Sequence, residues 1–416
     1  MSNFSLRQWE NLVNPHYAGR PCYWSVFNHE TDQSITFNYK HDAVVYKKTL
    51  PHATIYFHWY EDEFARINAS LEPEESHDEL CRQRAQELRD TYKYLRLWFS
   101  GGSDSQTALN SFVNNNIHID EIMLADYFDG ENNSDPTKTT NREINLSAKP
   151  ALKKILDKIP NTKITVIKAT SQDVDEYFSG MDDLSKIPGF DSLDGCIPFG
   201  LEFTWAFCKI SNQQQHEDVC DVFGGSKVKL FKNQHKWYFY FPDSSLSDLH
   251  HCTHAEDFFI SRNIPKLYLK TVYLLKKYFA LQGYSDQVIN EFADDAKMGK
   301  IYNLAMGRSS VHEIAAYKTY VYTHNPVEWQ NQFVSGWVAQ AFYHNVINTD
   351  QGQRWHKNYS NTMRAMIDIS DEQWNVDRFG NPVPILGRKG HLSKFYCLND
   401  GLVYDSVQAK QNTLIF

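Results

Sequence analysis

The chain has 416 residues, of which 42% are apolar and 22% charged, and its formal net charge at pH 7 is −9. At roughly 150 residues per domain this length predicts two or three domains, and the composition is that of an ordinary globular protein. The negative charge argues against a protein whose main role is to coat nucleic acid, although a local basic groove stays open.

Cysteine usage and hydropathy indicate the compartment. The seven cysteines include no CxxC pair, so neither a zinc ribbon nor a thioredoxin-like redox pair is expected. The first residues carry neither the basic stretch nor the apolar run of a signal peptide. No apolar run reaches the 18 residues that suggest a membrane-spanning helix. We therefore expect a cytoplasmic protein without a membrane partner.

The first region, residues 1–90, is predicted to be rich in β-structure. Short β-branched and aromatic segments predict strands at 33–39, 43–48 and 53–60. From Ser76 to about Thr91 the apolar residues recur at helical spacing, which predicts a helix there.

The second region, residues 91–264, has the alternating order of an α/β fold. Apolar runs predict strands at 95–99, 121–128, 163–169 and 218–225, with a helix from 106 that Asn114 to Asn116 stop and another near 142–159. Such strands, separated by helices, are typical of a parallel sheet buried on both faces.

The third region, residues 265–416, is predicted to be mainly helical, and an aromatic hairpin at 227–241 precedes it. Tyr268, Val272, Leu275 and Phe279 form one apolar stripe of a helix that begins at Pro265. Further helices are predicted at 285–297, 309–322, 326–347 and 351–368, and a small terminal hairpin at 394–406.

One motif indicates a functional site. The sequence SGGSDS ends the first strand of the α/β region and opens a helix. Glycines let backbone N–H groups approach a phosphate, hydroxyls donate to its oxygens, and a carboxylate either caps the helix or holds a divalent cation. The alternative is a tight Gly-Gly turn with Ser103 or Asp104 acting only as an N-cap. The complete motif favours a phosphate site made of Ser100, Gly101, Gly102, Ser103, Asp104 and Ser105.

At these six residues the sequence resembles the PP-loop ATP pyrophosphatases, the asparagine synthetase-like superfamily, whose fingerprint is SGGxDS after the first strand. The resemblance covers roughly residues 91–245 and implies a Rossmann-like nucleotide-binding domain. It also implies that ATP is cleaved between the α- and β-phosphates with Mg²⁺, and that Asp104 is the metal ligand. Neither the GxxxxGK[ST] P-loop nor a GxGxxG after a strand is present.

The second strand of such folds lines the adenine pocket. By this resemblance Leu124, Ala125 and Asp126 are candidate adenine contacts. Asp126 either accepts from the adenine amine or only starts a turn.

The fourth strand ends in Gly224 and Gly225, where asparagine synthetase-like enzymes carry a glycine-rich loop with an acidic pair. That pair is missing, and Lys227 either reaches a phosphate as a point charge or is a solvated charge that opens the hairpin. The arrangement is similar to PP-loop proteins of tailed bacteriophages, which implies the host cytoplasm as the location.

Other features depart from the family or leave alternatives open. Ser2 stands where glutamine-using asparagine synthetases have a catalytic cysteine, so we expect ammonia or an amine as the nitrogen donor.

Three further segments leave alternatives open. The cluster His250–His254 is a metal site, a helix cap or a substrate contact, and the acidic stretch Asp173–Asp194 is a connector or a lid. Lysines at 266, 270, 276 and 277 either face an anionic substrate or form a solvated helix face.

These observations favour an adenylating enzyme with Asp104 and Lys227 in catalysis, ATP and Mg²⁺ bound, and a small-molecule or nucleotide substrate. A sulfur-transfer or nucleobase-modifying enzyme of the same class is one alternative, and a non-catalytic ATP-binding protein is another. Net charge does not support a nucleic-acid partner, and the sequence does not indicate the oligomeric state.

Overall fold

The computed structural model describes residues 22–37, 43, 46–47, 49–127, 144–169, 219–224, 228–233, 235–241, 255–286, 289–290, 374–376, 382–384 and 393–404. These residues form four β-sheets and the helices that pack on them. The prediction of an α/β fold is confirmed by a parallel sheet with helices in the middle of the chain.

The first sheet is antiparallel, and its strands lie in the order β2-β1-β3. The strands are β1 (Cys22–Asn28), β2 (Gln33–Phe37) and β3 (Ala53–Trp59). The strand predicted at 43–48 is wrong, because the described residues Ala43, Tyr46 and Lys47 are helical. Ala43 and Tyr46 lie three positions apart, on one side of a helical turn, and both pack against the core.

Two helices lead from this sheet to the parallel one. They are α1 (Glu61–Ala65) and α2 (His77–Thr91). Ser76 caps α2, since its Oγ accepts a hydrogen bond of 3.1 Å from the backbone N–H of Glu79. The helix predicted from Ser76 to about Thr91 is confirmed.

The central sheet has five parallel strands in the order β10-β7-β4-β5-β6. The strands are β4 (Tyr94–Trp98), β5 (Glu121–Tyr127), β6 (Lys163–Ala169), β7 (Val219–Phe223) and β10 (Ala255–Asp257). Helix α3 (Ser103–Val113) follows the central strand β4. If β4 is counted as the first strand, the strands lie in the order 3-2-1-4-5, so the sheet grows first on one side of β4 and then on the other, as in doubly wound α/β sheets.

The helix predicted near 142–159 is broken into three short pieces. A π-helical turn spans Ile144–Ala148, α4 spans Lys149–Lys153, and a 3₁₀ turn spans Leu156–Lys158. Pro150 lies in the first turn of α4 and has no N–H to donate to the preceding turn, so the hydrogen-bond pattern changes there.

Two hairpins from distant parts of the chain share one sheet with the order β14-β13-β9-β8. The strands are β8 (Lys229–Asn233), β9 (Lys236–Tyr240), β13 (Phe395–Cys397) and β14 (Val403–Tyr404). Both predicted hairpins are confirmed, and the β9–β13 pairing joins residues of the predicted second and third regions. A separate two-stranded sheet pairs β11 (Trp374–Val376) with β12 (Pro382–Pro384).

Helix α5 (Pro265–Gln282) begins at Pro265, as predicted, and ends at Gly283 with a φ of 65°. Its predicted stripe is buried, and the helix packs against α2 and β8. One hydrophobic cluster includes residues of the first sheet, α2, the parallel sheet, β9 and α5.

Several predictions lie outside the described residues. They concern the helices at 309–322, 326–347 and 351–368, most of the helix at 285–297, the acidic stretch Asp173–Asp194 and the cluster His250–His254. Among the helices that the structure describes, none combines the length and apolar character needed to cross a membrane.

Candidate functional site

The candidate site begins where the central strand β4 leaves the sheet. The backbone N–H of Phe99 donates to the carbonyl of Met123 on β5 at 2.9 Å. Ser100 is exposed, and Gly101 takes a φ of 77°, which L-residues with a Cβ rarely adopt. The chain thereby turns from the strand directly into α3.

Gly101 is also required by close packing. A Cβ at this position would lie 2.5 Å from the backbone N of Ala148 and 2.7 Å from the carbonyl carbon of Ser147. The π-helical turn at Ile144–Ala148 therefore lies directly against the loop. The absence of a side chain at Gly101 serves this backbone contact in addition to any ligand.

Helix α3 starts without a side-chain cap. Gly102 is its N-cap residue, and the interpretation of Ser103 or Asp104 as the N-cap is wrong, because both lie inside the first turn. A glycine cap has no side chain to accept from the first-turn N–H groups. Since these groups carry the positive end of the helix dipole, the loop faces a site suited to an anion.

The serine hydroxyls hold the loop together. Ser100 Oγ accepts from the Gly102 N–H at 3.2 Å and lies 3.1 Å from Ser105 Oγ. Ser105 Oγ also donates to the Gly102 carbonyl at 3.1 Å. These hydrogen bonds link Ser100, Gly102 and Ser105 in a closed ring.

Asp104 lies in the first helical turn and is 9% exposed. Ser103 Oγ donates to its Oδ1 at 3.2 Å. Mg²⁺ is commonly bound through one or two carboxylates plus substrate phosphates, so the chemistry of a single carboxylate in the first turn of α3 fits this ion. In the described part of the chain, no group of three or more His, Cys, Asp or Glu side chains is placed to hold a metal by itself.

The end of β7 lies against the start of α3. A Cβ on Gly224 would lie 3.2 Å from both the carbonyl oxygen of Asp104 and the Cα of Ser105. The strand order reverses between β4 and β7, and ligands of open α/β sheets bind in the crevice outside the carboxyl ends of the strands at such a point. Gly225 and Lys227 lie outside the described residues.

A buried network joins β4 to β7 below the two loops. Arg96 pairs with Asp221 at 2.6 Å, and Trp98 Nε1 donates to the same carboxylate at 2.8 Å. Burial raises the pKa of Asp221, against the lowering effect of Arg96 and the Trp98 N–H. Trp98 stacks on Phe223 with ring centroids 5.7 Å apart. The network fixes the spacing of the two strands that carry the candidate loops.

The candidate adenine contacts lie in β5. Leu124 is buried in the core. Ala125 and Asp126 lie in register with Ile167 and Lys168 of β6, so the alternative that Asp126 starts a turn is wrong. The side chains of Ala125 and Asp126 lie outside the described part of the structure.

The sequence did not indicate two residues that contact the loop. Gln106 Nε2 and Ser147 Oγ both donate to the Gly101 carbonyl at 2.6 Å. Gln106 directly follows the motif, which was the available signal. Ser147 lies 46 residues from Gly101 along the chain, and no local pattern connects the two.

Three of the four lysines singled out on α5 pair with the segment before α2, and the fourth, Lys276, lies over the ring of Tyr273. Lys266 binds Glu75 at 2.7 Å, whereas Lys270 and Lys277 both bind Glu72 at 2.8 Å. These pairs favour the structural alternative for this helix face over an anion site.

No protein-family model matches the chain, and no curated protein is significantly similar to it. The resemblance at residues 100–105 therefore stays a prediction, and the candidate site depends on its motif and its geometry.

Proposed function

We propose that this protein is an ATP-dependent adenylating enzyme of the PP-loop class. The observation that carries the proposal is the position of the SGGSDS motif at the carboxyl end of the central strand, at the point where the strand order reverses. In open α/β sheets this crevice is where nucleotides bind.

The loop Ser100–Ser105 is proposed to bind the β- and γ-phosphates of ATP. The helix N-terminus has no side-chain cap and the glycine pair has no side chains, so backbone N–H groups are the proposed phosphate donors, while the serine hydroxyls bond within the loop. Leu124, Ala125 and Asp126 are proposed to contact adenine, since β5 lies directly beside β4 in the sheet.

Asp104 is proposed to hold Mg²⁺ together with phosphate oxygens of ATP. The ion would offset negative charge on the pyrophosphate group. Gly224, Gly225 and Lys227 would approach the same group from β7. The contact of Gly224 with the start of α3 supports this part of the proposal.

The reaction that fits this arrangement breaks the bond between the α- and β-phosphates. A carbonyl or carboxylate oxygen of a small-molecule or nucleotide substrate attacks the α-phosphate, and pyrophosphate leaves. An amine then displaces AMP. Donors fixed around the leaving pyrophosphate stabilise the charge that develops on it, and Lys227 is proposed to add a positive charge there.

The cysteines that the structure describes do not support sulfur transfer. The described cysteines Cys81, Cys220 and Cys397 are buried, and burial raises the pKa of Cys81 and of Cys220. A buried thiol that stays protonated is a poor nucleophile.

A non-catalytic ATP-binding protein is the second candidate. The missing acidic pair after the fourth strand favours it, because that sequence keeps the phosphate loop and lacks two acidic residues of the related enzymes.

Both candidate functions require ATP binding, which ligand-induced stabilisation of the full chain tests. We expect Mg²⁺ with ATP, and Mg²⁺ with pyrophosphate, to raise the melting temperature. A ligand at 100 times its Kd adds about 2.7 kcal/mol to the free energy of unfolding. If neither ligand stabilises the chain with Mg²⁺, both candidates are contradicted. Release of pyrophosphate in the presence of a substrate pool separates the enzyme from the binding protein.

A further inference from the structure

The carbonyl of Gly101 is held by two side chains from different parts of the chain. Gln106 Nε2 on α3 and Ser147 Oγ in the π-helical turn each donate to it at 2.6 Å. A carbonyl oxygen has two lone pairs, so these two donors satisfy it. Both side chains are buried, which places the carbonyl on the inner side of the loop.

The orientation of this carbonyl fixes the next N–H. In a trans peptide the C=O and N–H bonds point in opposite directions, so the N–H of Gly102 points away from Ser147. It points to the side of exposed Ser100, whose Oγ accepts from it at 3.2 Å. One side of the Gly101–Gly102 peptide is thus buried, and the other lies on the side of Ser100, where the phosphate is proposed to bind.

Glycine on both sides of a peptide makes its orientation easy to change, because neither residue has a Cβ to restrict φ and ψ. If this peptide flipped, its carbonyl oxygen would face the crevice and repel a phosphate. Two buried donors on the opposite side select the orientation that presents the N–H.

We propose that Ser147 and Gln106 are positioning residues, which hold the Gly101–Gly102 peptide so that the Gly102 N–H is presented to the pyrophosphate group of the nucleotide. This inference rests on the proposed function, because it assumes that the loop Ser100–Ser105 binds phosphates. Neither side chain needs to touch the ligand.

The test is titration calorimetry of the full-length chain with Mg²⁺ and inorganic pyrophosphate, with AMP titrated separately. The variants are Ser147→Ala, Gln106→Leu and the double variant. We expect each single variant to weaken pyrophosphate binding about five- to tenfold and the double variant to weaken it further. AMP affinity should stay unchanged, because AMP lacks the pyrophosphate group.

Ser111→Ala is the matched control. Its buried hydroxyl donates to the carbonyl of Thr107 at 2.7 Å, and both residues lie on α3, away from the loop. The control should lower the melting temperature as Ser147→Ala does and leave pyrophosphate affinity unchanged. Ser147→Thr keeps the hydroxyl and should restore most of the binding.

The outcomes separate this inference from the proposed function. If folded Ser147→Ala and Gln106→Leu variants bind pyrophosphate as the wild-type chain does, the positioning role is wrong and the proposed function still stands. Equal loss of AMP and pyrophosphate affinity would show a purely structural role and also overturn the inference. If the wild-type chain binds neither pyrophosphate nor ATP, the proposed function fails and the inference fails with it.

Discussion

Gly101 and Gly283 both have positive φ angles, in different surroundings. Their φ angles are 77° and 65°, but a Cβ on Gly283 would meet no heavy atom within 4 Å. Gly283→Ala therefore measures the backbone strain alone, about 1 kcal/mol. Gly101→Ala adds a collision with the backbone of Ala148, so we expect a larger loss of stability in denaturant unfolding and loss of stabilisation by Mg²⁺ and ATP.

A folded Gly101→Ala variant that ATP stabilises as strongly as the wild-type chain would contradict the phosphate role of the loop. The Gly283→Ala variant should retain the full ATP effect, which makes it the control for a general change in stability.

Asp104 is expected to act on Mg²⁺ more than on folding. Asp104→Asn keeps the shape of the side chain and removes a charge from the first turn of α3, a change that costs about 0.3–1 kcal/mol. The variant should melt close to the wild-type temperature and lose the dependence of ATP affinity on Mg²⁺. Equal Mg²⁺ dependence in both proteins would restrict Asp104 to a helix-dipole role.

Sequence alone indicated the loop Ser100–Ser105 as the candidate site and did not indicate the contacts that shape this loop. SGGSDS lies in six consecutive positions, so its chemistry can be inferred locally. The donors from Gln106 and Ser147, and the pairing of Arg96 with Asp221, depend on tertiary packing. For the pairing of Arg96 with Asp221, the only local sign was that each charged residue lies inside an apolar strand.

Among the elements, α2 offers a comparison of two arginines. Arg84 is almost fully buried and donates to the carbonyls of Asp257 and Phe258 and to Glu256, which ties α2 to the end of β10. Arg82 lies on the exposed side and pairs with Glu79.

Arg84→Met should cost about 3–5 kcal/mol in denaturant unfolding, because it leaves buried acceptors and a carboxylate without their partner. The same substitution at Arg82 should cost less than about 1 kcal/mol, since exposed ion pairs contribute little. Similar losses at the two positions would contradict the role of Arg84 as a tie between α2 and β10.

Helices whose first residue is marked by a capping serine or a proline could be predicted from the sequence. A segment whose structure depends on tertiary packing could not. Ser76 marks the start of α2 and Pro265 the start of α5, and both helices were predicted. The β-branched run at 43–48 predicted a strand, yet Ala43 and Tyr46 pack as one side of a helical turn. Tertiary packing decided that segment against its local propensity.

At the scale of the whole molecule, the terminal hairpin completes a sheet begun more than 150 positions earlier along the chain, as the hydrogen bond from Trp237 to Asn399 shows. Phe395 is buried edge-to-face against Phe231, with ring centroids 5.2 Å apart, and lies beside Tyr240. No local pattern predicts such pairing between distant strands.

Phe395→Ala should lower the stability of the whole chain by about 3–5 kcal/mol in one cooperative unfolding transition, because the hairpin pairs with β9 and the two strands share a hydrophobic cluster with the parallel sheet. Leu402→Ala, at a position that is 58% exposed, should change stability by less than about 0.5 kcal/mol. Two separate transitions, with only one of them shifted by Phe395→Ala, would show that the hairpin belongs to an independent folding unit.

The proposed function requires that the loop Ser100–Ser105 holds pyrophosphate as a leaving group. The most direct measurement is ³¹P NMR of the products formed from ATP and Mg²⁺ by the full chain supplied with a pool of candidate substrates. We predict AMP and pyrophosphate from ATP. An analogue blocked between the β- and γ-phosphates should give AMP and the corresponding bridged diphosphate, and one blocked between α and β should not be cleaved. The formation of ADP and phosphate would contradict the mechanism, because a transferred γ-phosphoryl group requires its charge to be stabilised at a different position.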